Sequence, residues 1–232
     1  MDVDLEITSI EGPDDEELLD AFHGGIYRDV FRDSQEPIAV WKRALWGGVS
    51  SHELTIQIAG RNLRDPARRE ILGGIAFERY PRCGCGLISY MVIAPAARRH
   101  GVGRRLQRGA ADALFAGGAP AVFGELDDPR RRGEGVAEPA YDMWRRIERN
   151  QVWGARIVDA RYVQPALAPG LPRDRGLCLI ALSGADPLPP TISGQIVRDF
   201  IEDRYLATEG SPPDRALLAA IPERVALIEL QR

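Results

Sequence analysis

An arginine-rich loop with two glycines is the segment of this sequence whose residue types and spacing point most directly to chemistry. The loop has the pattern Arg98-x-x-Gly101-x-Gly103 and lies between an apolar run and a predicted helix. Glycine lets the backbone approach a ligand closely, and the first-turn amides of a helix have no partner inside it. Such amides bind anions, for example a pyrophosphate. Positive charge around this site comes from four residues, Arg98, Arg99, Arg104 and Arg105.

Three kinds of phosphate-binding loop compete for this segment. A Walker loop requires Gly-Lys-Ser/Thr, which is absent. A dinucleotide fingerprint requires a third glycine where Leu106 stands, although Glu125 follows at about the 20-residue distance which that fingerprint expects. A dinucleotide oxidoreductase therefore stays open as an alternative. The third kind is an acyl-CoA site.

The order of strand, Pro95, Arg98, Gly101, Gly103 and helix resembles the acetyl-CoA motif of the GNAT superfamily of N-acetyltransferases. The flanking order is also similar over about residues 3–183: two N-terminal helices and a strand hairpin before the motif, then strand, helix and closing hairpin. The resemblance implies an α+β (α/β) fold, with a mixed, mostly antiparallel central sheet flanked by helices and a C-terminal helical extension. It also implies acetyl-CoA as the acyl-donor cosubstrate, with no metal.

The resemblance assigns cofactor-binding roles to two parts of the motif. The backbone of Met91 and Ile93 is expected to bind the pantetheine arm, and Arg98 fills the Gln/Arg position of the motif. Asn150 could hydrogen-bond the cofactor from a later helix. The amides expected to cradle the pyrophosphate are those of Arg99, His100, Gly101, Val102, Gly103 and Arg104.

Acyl transfer to an amine requires a base that removes the amine proton and a donor for the leaving thiolate. Glu125 is the first candidate for the base, because some family members that modify protein N-termini have a similarly placed Glu. Glu78, near a strand end, is the second candidate. The alternative for Glu125 is a carboxylate on the surface of a strand.

The general acid is where this sequence departs from the family pattern. Many members have a Tyr four residues before the glycine that ends the next helix, and here Asn150 occupies that position before Gly154. Tyr141, at the start of the same helix, is a substitute; otherwise water acts as the acid or the protein is not a catalyst. The loop predicted over residues 127–140 could shape the acceptor pocket.

The resemblance predicts an acyl-CoA-dependent N-acyltransferase that transfers acetyl to a primary amine of a small molecule or peptide by direct attack in a ternary complex. Acidic residues near the expected site suit a cationic amine; among them, Glu78 and Asp127 are the predicted substrate-binding residues. The alternative is a non-catalytic acyl-CoA-binding or interaction module on the same fold.

Composition excludes several other classes of protein. The chain has 232 residues, 44% hydrophobic and 28% charged, with a net charge of −4, which argues against nucleic-acid binding through bulk positive charge. No apolar run approaches the ~20 residues of a membrane helix, and the N-terminus lacks signal-peptide features, so a cytoplasmic protein is expected. Cys83-Gly84-Cys85 is interpreted as a turn before a strand rather than a zinc site.

Hydrophobic periodicity predicts the elements. Helices are expected at residues 14–31, 37–45, 102–115, 141–152, 192–205 and 215–220. Strands are expected at residues 2–10, 54–59, 71–77, 87–94, 121–126, 156–163, 177–182 and 225–230, with 71–77 and 87–94 forming an antiparallel hairpin. We expect a domain over 1–185 and an extension over 186–232, whose amphipathic helix docks on the domain or on a second copy in a homodimer.

Overall fold

The computed structural model describes residues 5–31, 36–47, 51–131, 140–167 and 170–232, with only the backbone of Ala140 and Tyr141. The chain divides into two compact units. The first unit comprises residues 1–79 and 88–113, and the second comprises residues 80–87 and 114–232. Whether residues 186–232 form a separate extension stays a prediction.

The helices of the first unit differ from the expected ones near the N-terminus. They are α1 (Glu16–Phe22), α2 (Arg28–Val30), α3 (Ile38–Trp46) and the beginning of α4 (Val102–Ala116). The single helix predicted over 14–31 is wrong, because a wider helical turn at His23–Tyr27 separates α1 from α2. Gly25 leaves the helical region there (φ −99°, ψ −113°), as expected from the low helix propensity of glycine.

The strands of the first unit form antiparallel pairs. They are β1 (Glu6–Ser9), β2 (Glu53–Arg61), β3 (Glu70–Arg79) and, from residue 88 onward, β4 (Gly86–Ile93). Strand β2 pairs antiparallel with both β1 and β3. Strands β3 and β4 are neighbours. The Ala94 amide donates to the Leu72 oxygen at one end of this pair, and the Tyr80 amide donates to the Cys85 oxygen at the other (both 2.9 Å), which confirms the predicted hairpin.

An aromatic cluster forms much of the core of the first unit. The Trp41 ring lies 6.2 Å from Phe22 and 4.6 Å from Tyr27, and all three side chains are buried. The Tyr27 ring also meets the edge of Tyr90 on β4, with ring centroids 5.4 Å apart. Aromatic pairs of this kind add to the stabilisation from apolar burial, so α1 and α3 hold the strand that leads into the glycine motif.

The second unit contains the remaining elements. They are β5 (Val122–Asp127), α5 (Ala140–Val152), β6 (Arg156–Val158), β7 (Leu177–Ala181), β8 (Thr191–Ser193), α6 (Gly194–Glu209), α7 (Arg215–Ala219) and β9 (Arg224–Ile228). The strand order is β5-β7-β6-β9-β8, and each neighbouring pair is antiparallel. The observed strand β6 covers only Arg156–Val158 and is shorter than the strand predicted over 156–163. Ile192 lies in β8 rather than in a helix, because the Ser193 hydroxyl caps α6 by accepting from the Gln195 amide.

Helix α6 contributes to the core of the second unit. Phe200 lies 4.6 Å from Phe123 of β5, measured between ring centroids. Val197, Ile201 and Tyr205 are buried in the same cluster, together with apolar side chains of β7 and β9. The predicted fold class is confirmed: a mixed α+β protein with mostly antiparallel strands and a C-terminal helix. Within the described ranges, no helix is long and apolar enough to span a membrane.

Asp128 anchors the turn that follows β5. Its side chain is 0% exposed and accepts from the Arg130 amide (3.0 Å) and from the Arg130 guanidinium (2.8 and 2.9 Å). Arg131 is a second ion-pair partner at 3.2 Å. Burial alone would raise the pKa of Asp128, but the hydrogen bonds and charge of Arg130 outweigh it and lower the pKa.

The lowered pKa of Asp128 predicts a stability contribution that depends on pH. It is present above the unfolded-state pKa of an aspartate, about 3.9, and is lost as the pH falls through the lower folded-state pKa. We expect Asp128→Asn to lower the free energy of unfolding by about 1–3 kcal/mol at pH 7 and by less near pH 3. Urea unfolding at both pH values measures this. Asp186→Asn, at an exposed position, is the control, and an equal deficit of the Asp128 variant at both pH values would contradict the prediction.

Candidate active site

The glycine motif turns the chain sharply from β4 into α4. After Ile93, a short 3₁₀ turn at Pro95–Ala97 is followed by two residues with left-handed backbone, Arg99 (φ +70°) and Gly101 (φ +81°). A non-glycine residue in this region costs about 1–2 kcal/mol. Arg99 is thus a strained position, and strain of this kind is concentrated at functional sites.

The start of α4 presents backbone donors. The hydrogen bond from the Arg105 amide to the Gly101 oxygen (3.0 Å) begins the helical ladder. The amides of Val102, Gly103 and Arg104 precede it and have no acceptor within the helix. Helix N-termini of this kind bind anions in general. The predicted binding of an acyl-CoA diphosphate by these amides stays a prediction.

Charge around this turn has one sign. Arg98, Arg99, His100, Arg104 and Arg105 are exposed. The sequence has no Asp or Glu between Glu78 and Asp112, so a chain that is negative overall carries a locally positive segment here. The Arg98 Nε donates to the Ile93 oxygen at 3.4 Å, which folds this side chain back toward the end of β4.

Met91 and Ile93 lie on β4 with the buried Val92 between them. Both are half-buried, and their side chains face the side of the strand opposite to Val92. A Cβ on Gly73 of β3 would lie 2.9 Å from the Val92 oxygen and 2.8 Å from the Ile93 side chain. Only glycine therefore fits at this point of β3. The predicted hydrogen bonds from the Met91 and Ile93 backbone to pantetheine stay a prediction.

Glu78, at the end of β3, is a buried carboxylate. Its side chain is one of the few acidic groups that are nearly inaccessible, with 7% of the residue exposed. The Ser89 hydroxyl of β4 donates to its Oε1. Ser89 is therefore the hydrogen-bond partner of a predicted substrate-binding residue.

Glu125 of β5 lies in a network of donors in the second unit. The Tyr162 hydroxyl donates to Oε1, and the Gln164 side-chain amide donates to Oε2 at 2.7 Å. The Arg204 guanidinium of α6 lies 3.8 Å from the same oxygen, and the Glu125 and Arg204 side chains are each only 9% exposed. Glu125 is therefore a largely buried, strongly hydrogen-bonded carboxylate rather than a carboxylate on the surface of a strand.

Tyr162 contributes a permanent donor to this network. Burial, followed by the charge of Glu125, raises the pKa of Tyr162 well above its usual value, although Arg204 opposes the shift. The phenol consequently stays protonated. At the other end of the network, Arg204 Nη1 donates to the Tyr80 hydroxyl at 2.9 Å.

Sequence reasoning missed Tyr162, Gln164 and Arg204. A signal was present for each: Tyr162 and Gln164 are two residues apart, and residues at this spacing in an extended segment face the same side. Arg204 follows Phe200 by four residues, so it is a charge on the apolar face of α6.

Asp127 and Asn150 share one neighbour, Arg146 of α5. The Arg146 guanidinium lies 3.3 Å from an Asp127 oxygen, and the Asn150 side chain donates to the Arg146 backbone oxygen at 2.8 Å. Asn150 is 4% exposed, and its own backbone oxygen accepts from the Trp153 and Ala155 amides. The roles predicted for Asp127 and Asn150, toward acceptor and cofactor, stay predictions.

Tyr141 lies in the first turn of α5, which begins at Ala140. Its side chain is outside the described residues, as are residues 132–139 of the loop expected to shape an acceptor pocket. The role of Tyr141 as a substitute acid therefore stays a prediction.

The Cys83–Cys85 segment forms the predicted turn before β4. Gly84 has a left-handed backbone (φ +72°), and the Cys83 amide donates to an Asp203 oxygen at 2.7 Å. In the part of the chain that the structure describes, no group of three or more His, Cys, Asp or Glu residues is placed to hold a metal ion.

Solved structures share this fold. A GNAT-family structure from Bacteroides thetaiotaomicron is 16% identical, covers 78% of this chain and 88% of its own, and has a TM-score of 0.56. The aminoglycoside 6'-N-acetyltransferase from Enterococcus faecium is 14% identical, with coverages of 79% and 99% and a TM-score of 0.51. A tandem GNAT protein from the clavulanic acid biosynthesis pathway is also 14% identical, with coverages of 69% and 46% and a TM-score of 0.52. No curated protein gives a significant match.

A comparison with protein-family models identifies the same family as the solved structures and the glycine motif. The model of the acetyltransferase (GNAT) family matches residues 25–138. This range includes the hairpin of β3 and β4, the glycine turn, α4 and β5 with Glu125. The chain belongs to the GNAT family of acetyltransferases.

Proposed function

We propose that this protein transfers an acetyl group from acetyl-CoA to a primary amine of a small molecule or peptide by direct attack in a ternary complex. The observation that carries the proposal is the turn into α4, where helix-start amides and a left-handed Gly101 lie among exposed arginines. This arrangement suits the diphosphate of a CoA thioester. The thioester supplies an activated acyl carbon, which the amine nitrogen attacks as the carbon–sulfur bond breaks.

Glu125 is the proposed base that takes the proton from the amine. Its carboxylate accepts from Tyr162 and Gln164, and both bonds require it to act as an acceptor. A carboxylate oxygen has two lone-pair directions, so each oxygen can accept a further proton donor beside its present partner. Glu78 and Asp127 are the proposed acidic groups that attract a cationic acceptor.

The acceptor class follows from charge. An aminoglycoside 6'-N-acetyltransferase shares this fold. Primary amines that resemble the lysine side chain are cationic at neutral pH. Buried and half-buried carboxylates of this chain favour acceptors of the same kind, such as aminoglycosides, polyamines or the N-terminus of a peptide.

The alternative is a non-catalytic acyl-CoA-binding or interaction module. The observation that favours it is Asn150, which occupies the position of the family's acidic tyrosine and whose side chain is bound to the backbone of its own helix. An asparagine amide cannot protonate a thiolate. Catalysis therefore has to use Tyr141 or water as the acid, or it is absent.

Binding of the cosubstrate is tested at the glycine turn. We expect Gly101→Asp to weaken CoA binding by about tenfold or more, because the new negative charge lies beside the diphosphate site and the backbone there is left-handed. Isothermal calorimetry with CoA measures the affinity. Gly118→Asp is the matched control, since Gly118 also has a left-handed backbone (φ +84°) with open space around it but lies after the end of α4. If both variants bind CoA with the affinity of the parent, the assignment of the glycine motif as the CoA site is wrong.

A turnover assay distinguishes an acetyltransferase from a non-catalytic acyl-CoA-binding module. We expect release of free CoA thiol from acetyl-CoA to rise when a cationic amine is added and to stay at background with neutral alcohols. A thiol reagent follows the release, and mass spectrometry identifies the acetylated product. Binding of acetyl-CoA without amine-dependent release across aminoglycosides, polyamines and peptides would favour the module instead.

The base is tested by Glu125→Gln. Because a general base contributes about 10²- to 10⁴-fold to rate, we expect kcat/KM for the amine to fall at least about 100-fold while CoA affinity is unchanged. Glu70→Gln is the control, since Glu70 forms an exposed ion pair with Arg61. A Glu125 variant as active as the parent would remove Glu125 from the mechanism.

A further inference from the structure

We infer that Arg204 of α6 is a positioning residue for Glu125, so that the C-terminal helix completes the catalytic machinery. The inference rests on the proposed function, which makes Glu125 the base. It concerns a contact that the family motif does not contain, because Arg204 lies beyond the residues 25–138 that match the family model.

The first step is the ion pair itself. Arg204 Nη2 lies 3.8 Å from Glu125 Oε2, and little of either side chain reaches solvent. A buried charge without a partner is strongly unfavourable, whereas a buried pair with further hydrogen bonds is tolerated. The ion-pair partner of Glu125 is thus a guanidinium that α6 provides.

The second step is the anchoring of that guanidinium. Arg204 Nη1 donates to the hydroxyl of Tyr80, a fully buried residue that follows β3 in the sequence. A guanidinium is planar and presents its donors in a fixed fork. With one arm of the fork on Tyr80 and the other near Glu125, the position of the carboxylate is constrained from one side.

The third step links α6 to the other two donors. Val163 lies between Tyr162 and Gln164 in the sequence, and the hydroxyl of the buried Tyr205 donates to its backbone oxygen at 3.0 Å. Tyr205 directly follows Arg204 on α6. One turn of this helix therefore contacts Glu125 directly and also holds the segment that carries its remaining hydrogen-bond donors.

Arg204 acts by holding Glu125 in position and takes no part in the chemical step. Arg204 donates no proton to substrate and accepts none, because its guanidinium stays protonated. Its effect is to fix the position of the Glu125 carboxylate. Small displacements of a catalytic group are costly: a shift of about 1 Å lowers rate by up to about 100-fold.

The test is a double-mutant cycle of Arg204→Met with Glu125→Gln, measured as kcat and as the KM values for acetyl-CoA and the amine in steady state. In the parent background we expect Arg204→Met to lower kcat by about 10- to 100-fold with the KM for acetyl-CoA unchanged. In the Glu125→Gln background, the same substitution should change kcat less than about twofold, since both act on one step.

Two further variants keep the test informative if the methionine variant folds poorly. Arg204→Lys retains the charge and should restore part of kcat, while Tyr80→Phe removes only the hydroxyl that anchors the guanidinium and should lower kcat in part. Arg198→Met is the matched control on α6: Arg198 donates to the Ile221 backbone oxygen, and its variant should keep the kcat and KM of the parent.

The outcomes separate the two proposals. If Glu125→Gln abolishes turnover but Arg204→Met is as active as the parent, or its loss persists in the Glu125→Gln background, the positioning role is overturned and the proposed function stands. If Glu125→Gln leaves turnover unchanged, the assignment of the base fails, and the role of Arg204 fails with it. A loss of kcat that occurs in the parent background but not in the Glu125→Gln background, with the KM for acetyl-CoA unchanged, supports the inference.

Discussion

Backbone amides that a helix cannot satisfy internally are the constraint on which the proposed cofactor site of the first unit depends. The first amides of any helix have no acceptor within it. In the turn that joins β4 to α4, Arg99 and Gly101 have left-handed backbone. The surrounding arginines could not by themselves define a site, because exposed side chains are mobile and screened by salt. Fixed amides supply the geometry, and the charges supply attraction.

In the second unit, the main constraint is a carboxylate with little exposure to solvent. Glu125 is withdrawn from water, and its desolvation has to be offset by donors whose own positions are fixed. Tyr162 and Gln164 come from one extended segment and Arg204 from α6. The core of α6, centred on Phe200, holds that helix in place. Apolar packing and the polar network are thus parts of one arrangement, in which the packing decides where the donors lie.

The parts of the fold that follow local rules could be predicted from the sequence. The hairpin of β3 and β4, the turn at Cys83–Cys85 and the start of α4 have turn residues or periodic apolar positions that identify them. The break after α1 could not be placed, because the Gly24-Gly25 pair is also compatible with a weak continuous helix. The partners of Glu125 could not be found either, since Tyr162 and Arg204 are 37 and 79 positions away in the sequence, and only the tertiary structure brings them together.

Asn150 replaces the tyrosine that serves as general acid in many family members. The loss of this acid is expected to lower the rate less than the loss of a base would. A thiol has a pKa near 8.5, so a departing thiolate is close to stable at neutral pH and needs little help from an acid. A primary amine resembling lysine has a pKa near 10.4, and only about one molecule in 10³ is unprotonated at pH 7. Removal of the amine proton is therefore the more demanding of the two proton transfers. If Glu125 is the base, as we propose, the chain keeps the group with the larger effect on rate although Asn150 replaces the family tyrosine.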